Sequence, residues 1–285
     1  MTWPAVAEQY VRSFERAGME HTRRRAPLAQ PVVSRPVSLP EMDFRHLRAM
    51  TDDTGLLQHA AYSIPRYADG YCLDDNARAL LLMALVADAG SSDDPALVGS
   101  LSSRYLAFVN HAFNRPLGRF RNFLSYNRCW EERQGSEDSH GRAIWGLGAM
   151  VGRANDPGKQ SLAGDLFHLA IPAVTAFTSP RAWAYTLLGI DEYLRAFQGD
   201  STMEGRQVEL SDRLLDMFHR TSRKDWPWFE DSVTYCNARL SQALILSGAS
   251  RDRTEMIDVG LRSLEWLSSV QSSAEGHFAA IGSNG

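Results

Sequence analysis

The chain has 285 residues, is 44% hydrophobic and carries a formal net charge of −4. That length supports one large domain or two ordinary ones with a real core, and the charge gives no footing for nucleic acid or an anionic membrane as partner. No apolar run approaches the roughly 20 residues that cross a bilayer, so no membrane partner is expected. Arginine carries nearly all the positive charge, Lys159 and Lys224 being the only lysines. Cys72, Cys129 and Cys236 stand far apart without C-x-x-C spacing. This argues against a disulfide framework or a zinc knuckle and for a cytoplasmic chain whose thiols are small buried residues under a pocket floor. No metal and no cofactor is expected.

The start, MTWPAVAEQYVRSFERAG, contains Glu8 and Glu15 and lacks the apolar stretch of a signal peptide. It reads as a short amphipathic helix. Residues 22–41, rich in Arg and Pro and without helical period, read as an extended arm. Residues 1–41 therefore form an N-terminal helix and arm, and the main domain occupies 42–285. Within it, apolar positions at three- and four-residue spacing predict helices over Leu73–Ala89, Pro95–His111, His140–Arg153, Leu162–Phe177, Pro180–Phe197, Arg206–Arg220, Val233–Ser247 and Thr254–Val270.

A repeat lies inside this pattern. The runs DDNARALLLMAL, EDSHGRAIWGLGAM, FTSPRAWAYTLLGI and VTYCNARLSQALIL each begin with a polar cap and place an Arg in the first turn: Arg78, Arg142, Arg181 and Arg239. Each continues as an apolar helix rich in Ala, Gly and Ser, suited to burial on several sides. The intervening helices are more amphipathic and suit an outer layer. Alternating inner and outer helices joined by hairpins describe an all-α fold, an α/α toroid. With the inner helices parallel, their N-termini open on one face and gather the paired acids Asp74 and Asp75, Glu137 and Asp138, and Glu230 and Asp231. One Asp suffices to cap a helix, so the recurrence of adjacent acids points beyond capping.

Around these acids stand aromatics and hydrogen-bonding groups. Flat aromatic faces stack on sugar rings, and carboxylates and Arg bind hydroxyls in bidentate fashion. Glycoside cleavage needs one protonated and one ionised carboxyl group, and clustered acids beside Arg supply that split. The candidate catalytic residues are Asp138, Asp75 and Asp231. The candidate substrate-binding residues are Arg66, Tyr71, Asp74, Trp130, Glu132, Glu137, His140, Arg142, Arg181, Trp228 and Glu230. Trp228 fits a core position as well as a sugar-stacking wall, and Asp52 and Asp53 fit a turn better than catalysis.

The runs TDDTGLLQHAAYSIPRYADGYCLDDNARALLL, NFLSYNRCWEERQGSEDSHGRAIWGLG and GHFAAIGSNG resemble a bacterial domain of the six-hairpin glycosidase type, found alone or behind a glycosyltransferase domain. The resemblance covers roughly Leu39 to Gly285. It implies an (α/α)6 toroid, a carbohydrate substrate such as an oligosaccharide or glycoside, and a glycosyltransferase domain as a partner; it assigns no catalytic pair. Eight helices, with room for two more before Leu73, fall short of the twelve of a full toroid, so the toroid is expected to be incomplete at the C-terminus. The leading expectation is a glycoside hydrolase, inverting in preference to retaining. A sugar epimerase or lyase on the same scaffold, with His140 or a Tyr as proton carrier, and a non-catalytic accessory domain stand as alternatives. A terpene-cyclase toroid would have an apolar cavity without this density of Arg and acid.

Overall fold

The computed structural model describes Ala7, Glu8, Tyr10–Glu15 and Met42–Ala280, in two units divided after Glu41. In the first unit the described residues are helical, with Arg12 paired to Glu8 at 3.1 Å and with Tyr10, Val11 and Phe14 exposed. The predicted arm at residues 22–41 and the final GSNG of the third motif lie outside the described residues.

The second unit is predominantly helical. A short helix α1 (Arg45–Ala49) precedes α2 (Leu73–Ala89), α3 (Pro95–Ala112), α4 (Glu137–Arg153), α5 (Pro157–Ala170), α6 (Pro180–Leu194), α7 (Ser201–Thr221), α8 (Ala238–Ser250) and α9 (Thr254–Val270). Local chemistry sets most of the starts. Asp94, Asp156, Ser179 and Asp200 each accept a first-turn backbone N–H, and three of them precede a Pro that is preorganised for the first turn. Ser136 caps α4 in the same way, accepting from Ser139 N at 3.1 Å, so that helix begins three residues before the predicted His140. The helix expected over Leu162–Phe177 gives way to a 3-10 turn at Ile171–Ala176, where Pro172 has no N–H to continue the ladder. The helix expected from Val233 starts only at Ala238, because Cys236 takes a left-handed φ of 48° that no α-helix propagates through. Among the described residues of this unit, α1 is the one α-helix before Leu73. The long loops carry two-residue antiparallel pairings instead, of which Tyr71–Cys72 with Phe123–Leu124 fixes the approach to α2.

The helices form four hairpins, α2–α3, α4–α5, α6–α7 and α8–α9, each folded back on itself, with α2, α4, α6 and α8 side by side in that order. Helices α4 and α6, in the middle of the row, are buried nearly all round, whereas α7 buries one stripe (Met203, Gln207, Leu210, Leu214 and Phe218) at helical spacing. Polar contacts fix the direction of the row. At one end Arg142 near the start of α4 meets Asp74 of α2, Asp138 meets Ser179 before α6, and Arg181 of α6 meets Asn237 before α8. At the other end Arg153, closing α4, bonds Glu192 of α6 and Asp88 of α2 at 2.6 Å each. The four N-termini therefore share a face.

Close backbone approach holds the middle of the row together. A Cβ at Gly141 would lie 2.8 Å from the Ala182 carbonyl oxygen, and one at Gly148 or Gly152 would overlap the carbonyl oxygen of Gly189 or Glu192. These three glycines share one face of α4. On another face Gly146 approaches Ala77 of α2 just as closely. Gly148→Ala is expected to destabilise the fold by about 1–3 kcal/mol, the ordinary cost of overpacking. Gly205→Ala, on exposed α7 with no atom near the new methyl, should instead stabilise it by roughly 0.5–1 kcal/mol through helix propensity. Urea denaturation of both variants checks the pair, and equal shifts would contradict the backbone contact.

Candidate active site

The shared face is built outward from the first turns of the inner helices. Cys72 caps α2 through its sulfur, which accepts the N–H of Asp75 at 3.4 Å. Asp75 accepts the Cys72 thiol at 3.0 Å and lies 3.4 Å from Arg78. Asp74 is bound by Arg78 from its own helix and by Arg142 Nε from α4 at 2.5 Å. On α4 the adjacent acids divide their work. Glu137 accepts the backbone N–H groups of Thr178 and Ser179, at 2.8 and 2.7 Å, and so anchors the chain entering α6. Asp138 accepts hydroxyls only, from Ser179 at 2.5 Å and from Tyr235.

Two buried guanidinium groups tie these acids together. Arg142 donates from one terminal nitrogen to the Tyr185 hydroxyl at 2.7 Å and to Cys236 Sγ at 3.1 Å, and its plane lies 4.2 Å from the Tyr185 ring. Arg181 donates to the Tyr235 carbonyl at 2.6 Å, Glu230 at 2.9 Å, Asn237 at 3.1 Å and Thr234, and lies over the Tyr235 ring. Arg239 completes the pattern above the Trp145 ring. On the flank of α2, Tyr67 and Tyr126 stack at 4.8 Å with both rings exposed.

This surrounding field sets the protonation of several groups. Burial raises the Asp74 carboxyl above its ordinary value; Arg142 and Arg78 oppose that shift, and the charges of Asp75 and Asp138 add to it. Tyr235 is pushed up to about 12 by burial and by its bond to Asp138. For Cys236, partial burial works to raise the thiol, but hydrogen bonds with Tyr185 and Arg142 and the charges of Arg142 and Arg78 outweigh it, leaving the thiol below its ordinary value. Among the described residues, no group of three or more His, Cys, Asp or Glu is arranged to hold a metal ion.

The face thus gathers Asp74, Asp75, Glu137, Asp138, Arg142, Arg181 and Glu230. Other expected residues are placed elsewhere. Asp231 turns outward, with 86% of its side chain exposed, and pairs with Arg223. His140 is fully buried between Phe120 and Phe177, with one ring nitrogen at the Ala170 carbonyl and the other accepting from Phe120 N. Trp228 is a core residue against Phe229 and Trp266. Glu132 is occupied by the backbone N–H groups of Asn122 and Phe123, and Trp130 by Phe108 and Arg121. Tyr71 is buried and donates to Asp52, whose other oxygen accepts from Thr54 N in the expected turn. Arg66 is exposed and pairs with Asp69.

Arg78, Tyr185, Tyr235 and Cys236 belong to the cluster without having been among the candidate catalytic or substrate-binding residues. Of the cysteines, only Cys72 is buried as expected; Cys129 and Cys236 are exposed. The signal for Cys236 and Tyr235 was their place just before the fourth repeat Arg. Nothing in the sequence marked Tyr185, one turn beyond Arg181.

Iodoacetamide should alkylate Cys236 faster than Cys129 at neutral pH, and Cys72, whose thiol burial pushes up, slowest of the three. Peptide mass spectrometry over a time course checks the order, and Cys236 lagging behind Cys129 would remove the thiolate reading. His140 gives a second expectation, because burial holds it down to about 3, below the roughly 6.5 of an unfolded His. Between those values the unfolded chain binds the extra proton, so stability falls as pH drops below about 6.5, with a slope approaching about 1.4 kcal/mol per pH unit from this group. His140→Gln should flatten that part of a urea-derived stability–pH curve, and an unchanged slope would contradict the assignment.

No family model matches this chain, and no curated protein matches it. Solved structures do match, among them a sugar epimerase from a ruminal bacterium, with a TM-score of 0.59 and 10% identity. The match covers 78% of this chain and 66% of that one, so the chain spans just under two thirds of the epimerase's length. At this identity the likeness is one of fold.

Proposed function

We propose that the chain is a carbohydrate-active domain that hydrolyses glycosides, with Asp74 and Asp138 as its carboxyl pair. The observation that carries the reading is the contrast between these two acids on adjacent first turns of one face. Asp74 is partly buried with its pKa raised, in the direction a proton donor needs. Asp138 accepts two hydroxyl bonds, which leaves about two of its four lone-pair sites free to bind and activate a water. In this reading Asp74 protonates the leaving oxygen while Asp138 takes the proton of the attacking water, the inverting course. Arg78 and the exposed Tyr67–Tyr126 pair supply hydroxyl and ring-face contacts. Asp75 supports Asp74 as a neighbouring charge, and Asp231 has no part.

The four hairpins suit the resemblance to six-hairpin glycosidase domains, and an (α/α)6 toroid in a cytoplasmic, glycosyltransferase-linked setting is part of the same reading. Sugar epimerisation is the second reading, favoured by the likeness in fold to the ruminal bacterium's sugar epimerase. It would require a proton carrier on this face. His140 is sealed in the core, so that role would fall to Tyr235.

Asp138→Asn keeps volume and the capped helix, and should leave the fold within about 1 kcal/mol of the parent. It should lower hydrolysis of an oligosaccharide found by screening by about 10²–10⁴-fold, and Asp74→Asn should do the same. Full turnover in both variants would remove the pair. Isomerised sugar without hydrolysis would favour the epimerase, and glycan binding without any turnover would favour an accessory domain.

A further inference from the structure

At the opposite end of the helices, the last turns of α2 and α4 and the first turns of α3 and α5 enclose a cleft of about 480 Å³. Helix α2, 17 residues long, spans about 25 Å and separates this cleft from the carboxylate face. Its size lies within the roughly 300–1,000 Å³ of small-molecule sites. Its lining joins the core side chains of Met83, Val86, Val98 and Met150, which are buried, to the exposed Ala87 and Pro95.

One cation stands in this apolar lining. Lys159 Nζ donates to the Gly99 carbonyl at 2.8 Å and to Ser102 Oγ at 2.7 Å. Both acceptors are neutral, and among the described residues no carboxylate pairs with Nζ. Of the acids here, Asp156 lines the cleft and holds the N–H groups of Gly158 and Lys159 on its Oδ1, and Asp94 accepts from Leu97 N. An ammonium has three donors, so one remains for a ligand. A partly buried charge with only neutral partners favours an anion.

We propose that this cleft binds a small amphiphile, a medium-chain carboxylate whose head meets Lys159 and whose tail lies along Ala87 and Pro95, above the buried Val98 and Met83. The site is independent of the glycoside chemistry at the other end. Gly99 provides a way to close it, because a Cβ there meets no atom within 4 Å and a larger side chain enters open space.

Calorimetric titration of sodium octanoate and of 1-octanol into the full chain tests the proposal, with thermal melts as the check on folding. Octanoate should saturate a single site. Lys159→Met should weaken octanoate by about tenfold or more, the worth of a charge-assisted hydrogen bond, while leaving 1-octanol within about twofold of the parent. Gly99→Phe should abolish both. The proposal is overturned if octanoate does not saturate the folded parent, if Lys159→Met binds it as well as the parent does, or if Gly99→Phe still binds it. Should Lys159→Met fail to fold, Gly99→Phe decides alone.

Discussion

The arrangement of the carboxylate face depends on one buried guanidinium. Arg142 starts on α4 and bonds Asp74 of α2, Tyr185 of α6 and Cys236 just before α8. A guanidinium so far from water is tolerated only when its donors are matched, and stranding such a charge costs several kcal/mol. The four inner helices must therefore meet with their first turns level, or Arg142 loses a partner. Arg181 repeats the device one seam along, and each of Arg142, Arg181 and Arg239 lies over an aromatic ring belonging to a neighbouring segment. The first-turn Arg of the repeat is a strut between helices.

The acids of this face are unequal, and their partners explain why. Glu137 and Glu132 each hold a pair of backbone N–H groups on one carboxylate oxygen, a geometry that fixes loops. Asp74 and Asp138 are held instead by side chains, each through both of its oxygens. Adjacent acids thus differ in what they hold, Glu137 the loop backbone and Asp138 two hydroxyl groups.

Much of this was legible in the sequence. The Arg-bearing repeat announced the inner helices, and the bounds read for Leu73–Ala89 and Thr254–Val270 agree with the helices found. What periodicity could not supply was direction on a helix buried all round. On α4 every face is apolar or small, so nothing distinguished His140, which points into the core, from Asp138, which points out. Trp228 and Asp231 were ambiguous for a related reason: the loop WPWFED has no period to say which side is wet. The bond between Tyr235 and Asp138 spans 97 positions, and such a pairing leaves no local trace. The late start of α8 rests on one left-handed residue, Cys236, of a type that rarely adopts that conformation.

The glycine seam between α4 and α6 bears on how the face can move. Where side chains interdigitate, helices shift by exchanging rotamers. Where carbonyl oxygens sit against glycine Cα atoms there are no rotamers to exchange, and sliding either helix drives backbone into backbone. The central pair therefore behaves as a stiff keel. Gly146 extends the same contact to Ala77 of α2, so any widening or narrowing of the face falls to α8 at the end of the row, while Asp74, Asp138 and Arg142 stay fixed relative to one another.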